Sequence, residues 1–295
     1  MNEGNRAPQG AHEALDVYKS YKKSPYLSIK HSSYFLVYED LLEKYRNKPI
    51  VFVEVGVLNG GSLFMWRDYL GPRARVIGVD LNPEAKRWES HGFEIHIGSQ
   101  SDPAFWRRFF ETVGDVDVVL DDGGHTFDQQ IVTVHECLDH IRDGGLMIVE
   151  DTHTSYFREF GYPSRYSFME WTKRLVDNVN SRFPSVKVCD LPYKNSVFSI
   201  SVYESIVAMK IQRDHCIESV VTSNEGESMA AIDMRHKGDA LGAIQAMCYA
   251  AITKFPFLVG HEPTKALLLR CYRAVFARVA QLHSRFAHRA LKRYF

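Results

Sequence analysis

Residues 50–80 read IVFVEVGVLNGGSLFMWRDYLGPRARVIGVD, and this stretch decides the fold. Ile50–Val55 is a β-branched run that stops at Gly56. A glycine-rich turn follows, then a helical stretch over Leu63–Leu70. Arg75–Val79 is a second β-branched run, closed by Asp80. Two strands separated by one helix form a parallel pair with a right-handed crossover. The same pattern continues outward. Phe93–Ile97 reads as a short strand. Pro103–Thr112 reads as a helix, with Asp102 as its N-cap and proline at its first position. Val116–Leu120 is an apolar strand that runs into Asp121-Asp122-Gly123-Gly124. Phe127–Ile141 reads as a helix, and Leu146–Val149 as a strand running into Glu150-Asp151.

Near-continuous apolar strands alternating with helices predict an α/β fold whose parallel sheet is covered on both faces. Ser196–Ile211 holds two β-rich runs joined at Tyr203-Glu204-Ser205. That join leaves no room for a crossover helix, so it adds an antiparallel hairpin. Upstream, His31–Lys48 has apolar residues at helical spacing and residues 1–30 read as a loose arm. Tyr166–Phe183, Gly242–Phe255 and Pro263–Phe295 read as helices, and residues 212–245 as a polar linker or lid. The organisation expected is an arm and helix over 1–48, a core domain over 49–211, a linker, lid and helix over 212–262 and a basic amphipathic helix over 263–295.

The 295 residues carry 36 Lys+Arg and 36 Asp+Glu, with 45% hydrophobic residues. This is globular composition, which excludes a mainly disordered chain or a coiled-coil rod. Eight of the basic residues and none of the acidic ones lie in 263–295, so the preceding body is net −8. An acidic body argues against a nucleic-acid partner. The basic tail suits peripheral contact with an anionic membrane, or packing on the body or on a second subunit in a homo-oligomer. Five scattered cysteines form no CxxC pair, which argues against a zinc site or disulfide framework and points to a cytoplasmic location. No apolar leader and no spanning stretch occurs.

In a parallel sheet of this kind the ligand sits outside the carboxyl ends of the strands. That edge is where the sequence places Glu54, Asp80, Asp121, Asp122, Glu150 and Asp151. The turn has the spacing G-x-x-x-G-G rather than the GxGxxG of dinucleotide enzymes. Asp80, at the end of the second strand, suits ribose hydroxyls. Glu54 beside the turn would repel a pyrophosphate but attract a cation. S-adenosylmethionine, a sulfonium with a ribose and no phosphate, fits this pattern better than NAD. Carboxylates from two neighbouring strand ends could hold one hard cation such as Mg²⁺. The Gly123-Gly124 pair lets His125 turn back toward the same place. A divalent ion lowers the pKa of a ligated hydroxyl, and an imidazole, with an intrinsic pKa of about 6.5, takes the proton. Vicinal hydroxyls, as in a sugar, could chelate the ion together. The residues alone leave open which of Asp121 and Asp122 meets the metal.

VEVGVLNGGSLFMW, VIGVDLNP, VVLDDGGH, GGLMIVEDTHTSY and SISVYESIVAMKI, in that order over residues 30–211, resemble the metal-dependent sugar O-methyltransferases of macrolide biosynthesis. They also resemble the cephalosporin-hydroxylase-like and rhamnosyl O-methyltransferase relatives of that group. The resemblance implies a Rossmann-like class I methyltransferase fold with a C-terminal antiparallel hairpin and extra C-terminal helices. It implies Mg²⁺ on Asp122, Glu150 and Asp151, with His125 as general base. It also implies that Glu54, Gly56, Gly60, Ser62, Asp80, Ser99, Gln100 and Asp122 hold S-adenosylmethionine. Tyr156 and the His31/Tyr34/Tyr38 helix are candidates for an acceptor pocket. The function expected is methyl transfer to a sugar hydroxyl of a glycan or glycosylated metabolite. Two other readings remain at this point, a catechol-type phenol O-methyltransferase and a non-catalytic membrane-docking protein of the same fold.

Overall fold

The computed structural model describes residues 10–161, 163–188, 191–227, 238, 240–254 and 262–294. They form two compact units, one ending at Val221 and one beginning at Thr222. The first unit is built on a seven-stranded sheet. In chain order its elements are α1 (Asp16–Lys23), α2 (Ser32–Leu42), β1 (Val51–Val55), α3 (Gly61–Leu70), β2 (Arg75–Asp80), β3 (Glu94–Ile97), α4 (Pro103–Val113), β4 (Val116–Asp121), α5 (Phe127–Cys137), β5 (Ile141–Val149), α6 (Phe168–Asn180), β6 (Val197–Tyr203) and β7 (Ile206–Ile211). The strand order is β3-β2-β1-β4-β5-β7-β6. Strands β1 to β5 run parallel and β7 is antiparallel to both β5 and β6. This is the Rossmann-like class I methyltransferase fold, hairpin included. The order reverses between β1 and β4, which opens the crevice where such sheets bind ligands.

The expected start of α4 is observed, whereas the helix expected over Phe127–Ile141 ends at Cys137 and the strand expected over Leu146–Val149 begins at Ile141. Asp102 accepts a hydrogen bond from Ala104 N at 2.9 Å, with Pro103 next to it, and so starts α4. Thr126 and Gln129 form a reciprocal capping box at the start of α5, which satisfies two otherwise orphaned donors.

The sheet's two-residue period sorts the side chains into two apolar layers. Phe52, Val118, Leu120, Leu146 and Ile148 face α2 and α3, where Tyr34, Phe35, Tyr38 and Trp66 pack. Val53, Val55, Val119, Met147 and Val149 face the opposite layer, with Trp106, Phe109, Val134 and Leu175.

The expected loose arm is corrected. Residues 11–14 form one 3-10 turn and α1 follows it. Val17 is fully buried, and Tyr18 and Tyr21 pack on Phe35. The arm is polar overall, but its few apolar side chains fall on one face of a short helix. Residues 1–9 lie outside the described residues.

In the second unit, α7 (Ala240–Lys254) and α8 (Glu262–Leu291) are helices. Of the expected linker over 212–245, residues 217–227 have no regular secondary structure, and residues 228–237 and 239 lie outside the described residues. Among the described residues, no helix is long and apolar enough to cross a membrane.

Candidate active site at the sheet switch point

Register lines up the strand ends. Val55 pairs with Val79 and with Asp121, and Asp121 pairs with Val149. Gly56, Asp80, Asp122 and Glu150 are therefore carried to one edge. A cavity of about 690 Å³ opens there, within the usual range for a small-molecule site. Of the predicted residues, Gly56, Asp80, Ser99, Gln100, Asp122, His125 and Asp151 line it. Glu54, Gly60, Ser62 and Glu150 do not.

Gly56 shows why the turn is glycine. Its φ is +91°, and a Cβ there would clash with the backbone carbonyl of Asp122. The β1 turn thus packs directly on the β4 turn. Asp80 fixes the same turn from the other side: its Oδ2 accepts from Val57 N at 2.8 Å and Leu58 N at 3.1 Å, and its Oδ1 from Asn82 N at 2.8 Å. Oδ1, which accepts one bond, keeps a lone pair for a ligand in the cavity.

Glu54 acts beneath the turn rather than in the cavity. It is fully buried and accepts from Ser62 Oγ at 2.8 Å and Trp66 Nε1 at 2.9 Å. Burial pushes its carboxyl up to about 7. Gln100 has a similar structural task. Its Nε2 donates to Asp121 Oδ1 at 2.9 Å and to Thr133 Oγ1 at 3.1 Å, while its Oε1 accepts from Gly124 N at 2.9 Å. One amide thereby holds the whole Asp121–Gly124 turn.

The strand period also separates the two aspartates. Asp121 continues β4 on the face opposite α2 and is buried against Gln100, and burial raises its carboxyl to about 7. Asp122 turns to the other face, where its Oδ2 meets Lys30 Nζ at 2.6 Å. Glu150, fully buried, meets Lys30 Nζ at 2.9 Å and accepts from Tyr38 OH at 2.5 Å. Burial drives its carboxyl upward, against the opposing pull of the Lys30 ammonium. Asp151 accepts from Tyr34 OH, and its Oδ2 lies 3.2 Å from His125 Nε2. Both Asp151 and His125 take left-handed backbone angles, φ +53° and +58°. Such conformations store strain and persist where surrounding contacts enforce them. Here Thr154 Oγ donates to the carbonyls of both residues, at 2.8 Å and 3.0 Å.

Residues 53–152 match the family described as "Methyltransferase domain". The chain is 31% identical over 177 residues to the 8-demethyl-8-alpha-L-rhamnosyl tetracenomycin-C 2'-O-methyltransferase of Streptomyces olivaceus, covering 54% of this chain and 46% of that relative. It is 33% identical over 156 residues to the L-olivosyl-oleandolide 3-O-methyltransferase of Streptomyces antibioticus, covering 48% and 40%. It is 33% identical over 135 residues to the mycinamicin VI 2''-O-methyltransferase of Micromonospora griseorubida, covering 42% and 32%. The chain thus spans less than half the length of these curated relatives. Among solved structures, the MycE methyltransferase from the mycinamycin biosynthetic pathway, in complex with Mg, SAH and mycinamycin VI, superposes with a TM-score of 0.60. That pairing has 23% identity and covers 78% of this chain and 58% of that one. MycE and this chain share the fold.

The acidic edge of the sheet suits a divalent ion. Ligand atoms of Asp122, His125 and Asp151 lie within 4.8 Å of one another. Bonds of about 2.1 Å span ligand pairs of about 4.2 Å, so the set closes on an ion with small shifts. The Lys30 ammonium already stands as a cation between Asp122 and Glu150. His125 Nδ1 is buried without a hydrogen-bond partner, while Nε2 faces the carboxylates.

Lys30 is the part of the site that the sequence pattern did not assign. Tyr34 and Tyr38 are expected only as candidates for an acceptor pocket. Both are buried, and their hydroxyls hold Asp151 and Glu150. Helical spacing shows that they face inward, but their targets are more than a hundred residues away. Lys30 lies in a polar stretch with no periodicity to mark it. Tyr156 is 60% exposed.

Proposed function

We propose that residues 49–211 form an S-adenosylmethionine-dependent O-methyltransferase that acts, with Mg²⁺, on a sugar hydroxyl of a glycan or glycosylated small molecule. The convergence of Asp122, His125 and Asp151 at the mouth of the cavity carries this reading. The curated relatives support it: their names give sugar O-methyltransferases, and MycE was solved with Mg and SAH. These sugar-specific relatives favour it over the phenol and non-catalytic readings.

Asp80 and the glycine turn bind the cofactor's ribose end in the cavity. Ser99 and Gln100 form the adjoining wall, and Glu54 with Ser62 stiffens the turn from below. Asp122, Asp151 and Glu150 hold the divalent ion, which when bound lowers the pKa of a sugar hydroxyl. His125 Nε2 faces that place and takes the hydroxyl proton when its own hydrogen is on Nδ1. Asp151 Oδ2, 3.2 Å from Nε2, stabilises the imidazolium that forms once Nε2 has taken the proton. Positioning of the hydroxyl in line with the methyl group supplies the remainder of the acceleration. The test is methyl transfer from labelled S-adenosylmethionine to a panel of glycosides and catechols, with and without EDTA. Transfer to glycosides, lost in EDTA and restored by Mg²⁺, supports the reading. Full activity in chelator, or transfer to catechols alone, refutes it.

The basic helix α8 supports a further part of the proposal, peripheral contact with an anionic membrane from the cytoplasmic side. Leu267, Val275 and Leu282 are exposed on α8 beside its arginines. Flotation with anionic but not zwitterionic vesicles supports it. Absence from both, with a concentration-dependent dimer in sedimentation, assigns the helix to a homo-oligomer instead.

A further inference from the structure

Lys30 is buried at the centre of the acidic edge, with its side chain only 2% exposed. Its Nζ lies 2.6 Å from Asp122 and 2.9 Å from Glu150, and 5.7 Å from the centre of the Tyr38 ring. It therefore uses oxygens on two of the three carboxylates assigned to a divalent ion. The residues around it form part of the cavity. Ile29 lines the cavity wall, Tyr26 packs edge-on against Trp88 at 4.5 Å, and Ser24 Oγ donates to Gly61 O at 2.8 Å. Residues 24–31 thus run as a strap along the site. Its other anchors named here are neutral contacts, and Lys30 supplies the buried charged one.

An ammonium and a divalent ion repel each other, so Lys30 Nζ on Asp122 Oδ2 and Glu150 Oε2 opposes binding of a divalent ion to the same pair of carboxylates. Without any cation, Asp122 and Glu150 would face each other across buried space. A cation at that point, Lys30 Nζ or a divalent ion, offsets the two carboxylates, and the two compete for the place.

We propose that Lys30 is a displaceable internal counter-cation. A divalent ion competes with its ammonium for Asp122 and Glu150, so metal loading releases the strap of residues 24–31 from the cavity wall. This rests on the divalent-ion reading above. It makes Lys30 a positioning residue that links metal occupancy to opening of the cofactor cavity.

The test titrates MgCl₂ alone into the full chain by calorimetry, comparing wild type with Lys30→Met. Removing the competitor should tighten Mg²⁺ binding at least tenfold. A residue that merely braced the site would leave affinity unchanged or weaken it on loss, and either result overturns the inference. A second measurement needs no variant: hydrogen exchange of residues 24–31 in the wild type should be faster in saturating Mg²⁺ than in EDTA. Unchanged protection also overturns the inference. If the wild type takes up no Mg²⁺ but Lys30→Met does, competition holds and the metal-assisted reading of the wild type fails. If neither binds, both fail.

Discussion

Gln100→Leu is the most informative single change in the site. Leucine matches the volume of glutamine and removes only its amide. In the wild type that amide gives two donor contacts to Asp121 and one to Thr133, and accepts from Gly124 N, all within 2.9–3.1 Å. The substitution removes the acceptor of the Gly124 N–H, but Gly124 is exposed at the cavity and water can replace that partner. It also strips a charge-assisted partner from the fully buried Asp121, worth about 1.5–3 kcal/mol. The destabilisation should be about 1.5–3 kcal/mol, read as a shift in the urea unfolding midpoint at unchanged slope. Because the same turn carries Asp122 and His125, methyl transfer should fall even at temperatures where the variant stays folded. Gln100→Glu serves as the control. It keeps an acceptor for Gly124 but sets a carboxyl against Asp121, so the two must share a proton and the variant should lose stability as pH rises. A Leu variant within about 0.5 kcal/mol of wild type would refute the argument that this amide holds the turn.

Other expectations follow from the same geometry. His125→Ala should lower kcat by about 10²–10⁴ while calorimetry finds S-adenosylmethionine binding nearly intact; weakened cofactor binding would place His125 in the cofactor site instead. Asp80→Ala removes the acceptor of three backbone N–H groups and should weaken cofactor binding at least tenfold, measured by the same titration. Glu54 makes stability depend on pH. Its folded pKa of about 7 exceeds the ordinary 4.5, so the folded chain binds the proton more tightly than the unfolded chain. That contribution is complete below about pH 4.5 and is lost as pH rises to about 7. At about 1.4 kcal/mol per tenfold change in proton affinity, it amounts to about 3 kcal/mol. Urea midpoints for Glu54→Gln should show a flatter pH dependence across that window, and curves parallel to wild type would contradict it.

Much of the site was legible before any coordinates. The β-branched runs and glycine turns located the strands. The rule that ligands sit beyond the carboxyl ends of parallel strands gathered Asp80, Asp122, His125 and Asp151 correctly at one cavity. Roles were less legible. Glu54 and Gln100 carry polar groups at the expected edge, and nothing local says whether they point outward to a ligand or inward to brace a turn. Their hydrogen bonds to Trp66 and Asp121 show that both brace. The arm was misread because its composition is polar and its contacts lie in α2 and α3.

By itself the sequence determined the order of strands and helices, the two-faced parallel sheet and the edge where chemistry is concentrated. These follow from hydrophobic period, β-branching and glycine, all of which act over a few residues. Tertiary structure decided which side chains meet. The alternation of faces along β4 sends Asp121 into the core and Asp122 into the site. The fold also brings Lys30 to carboxylates 92 and 120 residues away. Such encounters depend on strand register and on burial of charge across the whole sheet, and no short stretch of sequence encodes either.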